Sequence, residues 1–235
     1  MKLAIMQPYF LPYIGYYQLI NAVDMFLVYD NIQYTKKGWI NRNRFLKNGE
    51  AAVFTLPLKK DASEGDVVQR ELAADFDRKK LLNQLREAYR RAPFFNQVFP
   101  IVEVIIGNEE QNLFRYIHAS IVTMCKHLEI STTIEISSDV AIDHDLKGQD
   151  KVLALCQAVG AEVYMNSSGG AGLYSHGDFR ECGIELQFMR AKPFEYPQFG
   201  QPFQPWLSII DVLMFNALEA VKTGLLENYE LDCHV

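Results

Sequence analysis

The sequence predicts an α/β fold: a mostly parallel sheet flanked by helices, with a β-hairpin insertion and a helical insertion. Three observations carry this. Strand, helix and strand are read within residues 2–29, a βαβ unit whose crossover is right-handed and whose strands are parallel. The same βα rhythm returns after residue 133. Between the two stretches lie a strong hairpin signal and three helical periods, which belong to neither.

The elements follow in order. Residues 2–6 are an apolar run stopped by Gln7-Pro8, a buried strand ending in a loop. In 15–23, Tyr16, Leu19, Ile20 and Val23 recur at helical spacing, and 25–29 is a second apolar strand. Residues 30–57 alternate, with Asn48-Gly49 placed as a hairpin turn. A polar, charged loop covers 59–65. An amphipathic helix fills 77–92 and stops before Pro93; helices follow over 94–106 and 112–128. Next come a strand at 133–136, a helix at 149–159, a strand at 162–165, a polar loop at 166–170 and a strand at 184–188. Residues 193–205, rich in proline and aromatics, are irregular, and Ser208 caps a last helix with Asp211 as its capping-box partner.

Composition bounds the function. The 235 residues suit one hydrophobic core, so 1–235 is read as a single domain. No apolar run is long enough to span a membrane, and no signal-peptide cleavage pattern follows the first strand, so the expected location is cytoplasmic. The four cysteines, Cys125, Cys156, Cys182 and Cys233, show no C-x-x-C spacing, which speaks against a disulfide framework or a cysteine-rich zinc site. A net charge of −6 speaks against general nucleic-acid binding, though not against a local basic patch.

Four patches could carry chemistry. Gln7 to Tyr16 joins a strand end, a proline-pinned loop and a helix start, where an open α/β sheet binds anions; Gln7, Tyr13, Gly15 and Tyr16 are its nucleotide-binding candidates. The alternative is an aromatic loop packed under the sheet. Lys36, Lys37, Trp39, Asn41, Arg42 and Arg44 gather cations, an amide and a flat ring within nine residues. That mix suits phosphate and sugar: Lys37 and Arg42 as catalytic cations, Lys36 and Arg44 as phosphate ligands, Trp39 and Asn41 as substrate contacts. The alternative is a solvated hairpin edge. Gly169 and Gly170, with Tyr174 beyond them, form an anion-cradle candidate without the lysine of a P-loop. Ser208 and Asp211 read as a cap. Asp139, Asp143, His144 and Asp145 match no cation-loop spacing, and no metal site is expected.

Several segments together resemble the WbqC-like family: 5–16, 36–43 and Thr55-Leu56-Pro57-Leu58, then Gly170 with Leu173-Tyr174, and finally 207–216. In one place the chain departs from such proteins, with Ser167 standing where Asn-Pro-x-Gly-Gly has its proline. Tyr13-Ile14-Gly15-Tyr16 also lies where the nucleotidylyltransferase superfamily has HxGH, but with both histidines replaced by tyrosine. The resemblance implies a role in bacterial surface-polysaccharide (O-antigen-type) biosynthesis, as a transferase or ligase. The substrate would be an anionic or nucleotide-linked small molecule, with ATP or a nucleotide-sugar as the cofactor. An amino acid or acyl group would be passed to a sugar. The rival reading is a non-catalytic module that holds a nucleotide-sugar or a partner.

Overall fold

The computed structural model describes residues 1–60 and 65–232. The loop expected over 59–65 falls partly outside these residues, and Cys233 and His234 wholly. In chain order the elements begin with β1 (Lys2–Met6), α1 (Ile14–Asn21), β2 (Met25–Val28), β3 (Arg42–Lys47) and β4 (Glu50–Thr55). Three helices follow, α2 (Arg78–Tyr89), α3 (Phe95–Gly107) and α4 (Leu113–His127). Then come β5 (Thr133–Ile136), α5 (Gly148–Val159), β6 (Val163–Ser167), α6 (His176–Glu181) and β7 (Glu185–Ala191). The chain closes with α7 (Ile209–Phe215), α8 (Leu218–Thr223) and β8 (Tyr229–Asp232).

Six strands make one sheet in the order β5-β2-β1-β6-β7-β8, parallel throughout except that β8 pairs antiparallel with β7. The chain winds outward from β1 through β2 to β5. It then crosses back to β6 and winds outward the other way. This is the doubly wound order, and its direction reverses between β1 and β6.

Side chains along each inner strand alternate between two cores. Leu3, Ile5, Leu27, Tyr164, Leu186 and Phe188 pack against α5 and α6. Ala4, Phe26, Val28, Met165 and Met189 face the larger core, which also takes α1, the hairpin, α2–α4 and the C-terminal helices. Because both faces are covered, apolar residues follow one another without polar interruption, as in Leu3-Ala4-Ile5 and Phe26-Leu27-Val28.

The hairpin β3–β4 forms its own two-stranded sheet. Its turn residues Asn48 and Gly49 both sit at positive φ, 53° and 82°, as a two-residue turn of matching twist requires. In the helical insertion, Asp77 caps α2 by accepting from the Lys80 amide at 2.8 Å. Asn112 caps α4 in the same way, from the Arg115 amide at 3.0 Å.

Five features differ from the sequence reading. β6 runs on through Asn166 and Ser167, so these are strand residues and not loop. The glycines after them form a 3₁₀ turn, Ser168–Leu173. His176 opens α6, whose six residues are too few to show a helical period. The edge strand β8 follows the last helices, half-exposed and polar at alternate positions. The capping box at Ser208 is also only half formed. Ser208 accepts from the Ile210 amide at 3.3 Å, but the Asp211 side chain turns into the core.

Candidate functional site

Where the winding reverses, the loops leaving β1 and β6 diverge and a cleft opens at the carboxyl ends of the strands. It has a volume of about 720 Å³ and four walls. Met6 and Gln7 close it at the end of β1, while Tyr29, Asn31 and Gln33 come from the segment after β2. Lys147, Gln149 and Lys151 come from the amino end of α5. Asn166, Gly170 and Tyr174 come from the end of β6 and the turn beyond it.

Each wall is held by specific bonds. The Tyr9 hydroxyl donates to Gln7 Oε1 at 3.1 Å, and the Tyr16 hydroxyl to the Gln7 carbonyl at 2.9 Å. Asn166 Nδ2 donates to the Tyr164 hydroxyl at 2.8 Å and to the Tyr174 hydroxyl at 3.2 Å. This ties the turn back to its strand. Gly170 suits the close approach, since a Cβ there would meet Asn166 Oδ1 at a tight 3.2 Å. Asn31 Nδ2 meets His144 Nδ1 at 3.0 Å and so links the β2 and α5 walls.

Lys151 is the notable charge. It is 3% exposed, its ammonium donates to the His144 carbonyl at 2.9 Å, and it lies 5.3 Å from the Tyr29 ring centroid. Burial first, and Lys147 next, pull its pKa below the ordinary lysine value. A cation poorly served by water, at a helix amino end, gains from an anionic ligand. Asp30, at the β2 end where a ribose-binding acid would stand, is engaged elsewhere. It accepts from Ser137 Oγ at 2.9 Å and Ser138 Oγ at 2.7 Å, which joins β2 to β5. Among the described residues no three His, Cys, Asp or Glu side chains converge as a metal site would require. Nor, among them, is any helix long and apolar enough to cross a membrane.

The residues singled out in the sequence fall in three pockets, except Lys37, Trp39 and Arg44, which line none of the three. Gln7, Gly169, Gly170 and Tyr174 line the cleft. Tyr13, Gly15 and Tyr16 line a neighbouring pocket of about 290 Å³. Tyr16 is buried there, and desolvation holds its hydroxyl well above the usual phenol range. Lys36, Asn41 and Arg42 line a shallow pocket of about 480 Å³ together with Lys59, Lys60 and Arg70. Gln33 faces the main cleft while its neighbour Tyr34 faces this basic pocket, so the segment between them separates the two.

Several side chains of the basic hairpin are engaged within the protein. Arg42 Nε donates to the Gly38 carbonyl at 2.8 Å, and its second arm reaches the Lys37 carbonyl. Arg42 and Arg44 both lie over the Trp39 ring, 5.2 and 4.7 Å from its centroid. Asn41 accepts from the Tyr34 hydroxyl at 3.0 Å and donates to the Leu56 carbonyl at 2.7 Å. Asn43 donates to the Leu11 carbonyl at 2.9 Å, which also accepts from Ser208 Oγ at 2.7 Å. The loop after β1, the hairpin and the last helices are thus clamped at one point. Leu11 is held there at φ 45°.

Sequence reasoning held Asn166 only as part of the Ser/Gly anion-cradle segment and did not single out Tyr29, Asn31, Gln33, Lys147 or Lys151 as cleft residues. The signal for Lys151 was its place in the first turn of a crossover helix that starts at the strand ends. Its helical period marked it only as a polar position.

A model of the WbqC-like protein family matches residues 7–223. The uncharacterized protein Rv1507c of Mycobacterium tuberculosis is 28% identical over 223 residues, which span 93% of this chain and 95% of that one. No solved structure matches.

Proposed function

The chain belongs to the WbqC-like protein family, and from that premise we propose that it is a transferase or ligase acting on a nucleotide-linked or phosphorylated small molecule. Passing an amino acid or acyl group to a sugar in surface-polysaccharide biosynthesis is the reaction in view. The observation that carries the proposal is the cleft at the winding reversal, walled by Lys147 and by the desolvated Lys151. Phosphate placed there meets an ammonium and the amino end of α5, both favouring negative charge in a site partly closed to water. Gln7, Asn166 and Gly170 frame the opposite wall. The basic pocket with Lys36 and Arg42 is the place for a second anionic substrate or leaving group.

A thermal-shift series with ATP, AMP and UDP-glucose tests binding, and Lys151→Met tests the site. Methionine keeps the apolar stem and removes the charge. The variant should fold and bind the stabilising nucleotide about tenfold more weakly, which is roughly 1.4 kcal/mol. Unchanged affinity would exclude Lys151 as the anion ligand. Pyrophosphate release from ATP in the presence of glucuronate and glycine then tests for catalysis.

One observation favours the second reading, a binding module. Tyr13 and Tyr16 stand at the two histidine positions of HxGH, and Tyr16 already gives its hydroxyl to the Gln7 carbonyl. Neutral phenols of this kind supply no charge to a triphosphate. Stoichiometric nucleotide-sugar binding without pyrophosphate release is the outcome that reading predicts.

A further inference from the structure

The pocket that Gly15 lines meets the main cleft. The two share Met6, Tyr9 and Ser167, so their seam lies over the ends of β1 and β6. Beyond the seam the walls change character. Leu19 comes from α1, Met189 and Ala191 from β7, and Trp206 from the irregular segment. Tyr16 spends its hydroxyl on Gln7 and so offers the pocket its ring. Trp206 is 59% exposed yet fixed: its backbone is held at φ 61° and its ring centroid lies 5.1 Å from that of Tyr13. A strained backbone that keeps a large aromatic at the mouth of a pocket points to a ligand.

We infer that this pocket is an acyl subsite. It receives a short aliphatic chain belonging to the ligand whose polar part occupies the main cleft. The inference rests on the reading of the cleft given above. A sugar ring fits the walls poorly, because its hydroxyls would need partners. The polar side-chain groups in these walls are Ser167 and Ser168 at the rim, the Tyr9 and Tyr16 hydroxyls, both donated to Gln7, the Tyr13 hydroxyl and Trp206 indole at the mouth, and Arg190, which is paired with Glu230 at 2.7 Å. Methylene groups meet Met6, Leu19 and Met189, whose flexible side chains adapt to a chain of carbons. The volume of about 290 Å³ admits about ten water-sized groups, enough for a six-carbon acyl chain. Its carboxyl carbon would then lie at the seam, beside Ser167.

Trp206 is its own reporter. The chain has two tryptophans, so Trp39→Phe leaves Trp206 alone, and its emission can be followed during titration with hexanoate. Hexanoate is expected to shift the emission saturably, and glucose at the same concentrations to leave it unchanged. Ala191→Phe fills the pocket from β7 and should weaken hexanoate about tenfold or more. Ser168→Phe blocks the opposite, exposed rim and serves if the first variant does not fold. Three results overturn the subsite: no saturable shift with hexanoate, an equal shift with glucose, or affinity untouched by either block. AMP titrated by calorimetry into the same proteins reads the polar cleft separately. Hexanoate bound at Trp206 without any AMP binding upholds the subsite and removes the nucleotide reading.

Discussion

Asp211 is fully buried, and both its oxygens are used. Oδ1 accepts from the Tyr89 hydroxyl at 2.8 Å; Oδ2 accepts from the Tyr196 hydroxyl and from Gln198 Nε2, each at 2.7 Å. Tyr89 in turn accepts from the Leu46 amide at 2.8 Å, so one carboxylate binds the hairpin, α2, the irregular segment and α7 together. Burial pushes its pKa above the usual carboxylate value, against the pull of the three donors. Asp211→Ala leaves three buried donors unmet and should cost about 3 kcal/mol or more in urea unfolding. Asp211→Asn keeps the shape but sets an amide donor against existing donors, for a loss of about 1–3 kcal/mol. The pH dependence has a definite sign. A raised folded-state pKa means the native protein holds the proton more tightly than the unfolded chain does. Asp211 therefore contributes most below the unfolded carboxylate pKa, about 3.9, and loses that contribution as pH rises through its folded value. The stability advantage of wild type over Asp211→Asn should narrow as the pH rises above the unfolded carboxylate pKa; a widening would contradict it.

Two glycines show how differently one residue type serves two elements. Gly49 closes the β3–β4 turn at φ 82°, where a Cβ would also press on Gln201 Cγ at 3.3 Å. Gly49→Ala should lower stability by about 1 kcal/mol or more, read as a fall in melting temperature. Gly15 has ordinary helical geometry, and a Cβ there would meet the Tyr13 ring at 3.4 Å and Ala191 Cβ at 3.7 Å, both ordinary contacts. Gly15→Ala should leave the melting temperature unchanged or raise it by up to about 1 kcal/mol of stability. It should weaken hexanoate, whose pocket it narrows. The hairpin was legible because Asn-Gly between alternating runs admits few other conformations. The caps at Asp77 and Asn112 were open to the same kind of local reading. α6 and β8 were not, since six residues show no period and a half-exposed edge strand shows little contrast. Asp211 carried a cap's spacing from Ser208 and was read as one. Its partners Tyr89, Tyr196 and Gln198 are brought to it only by the tertiary fold.

At the scale of the whole molecule, the cleft is assembled from four segments that the sequence keeps far apart, beginning near residues 7, 29, 147 and 166. Gln7 and Gly170 were visible because each follows a strand and sits beside proline or glycine. Lys151 and Asn31 were not, because their chemistry depends on which strand ends become neighbours, and strand order is not written in local pattern. That order has a further cost in time. β1 is a central strand: it pairs with β2 some twenty residues on, but its other edge waits for β6, where Lys2 faces Val163. At roughly 5–20 residues per second of synthesis, about 10–30 s separate the emergence of the two. Throughout that interval Leu3-Ala4-Ile5 has an unpaired apolar edge, the kind of surface on which nascent chains stick to one another. A chain stopped after residue 160 should therefore lack cooperative unfolding and sediment as aggregate, and the full chain should do neither. Light scattering and urea titration of the two would show whether the ribosome's pace, as much as the finished contacts, bears on the yield of this fold.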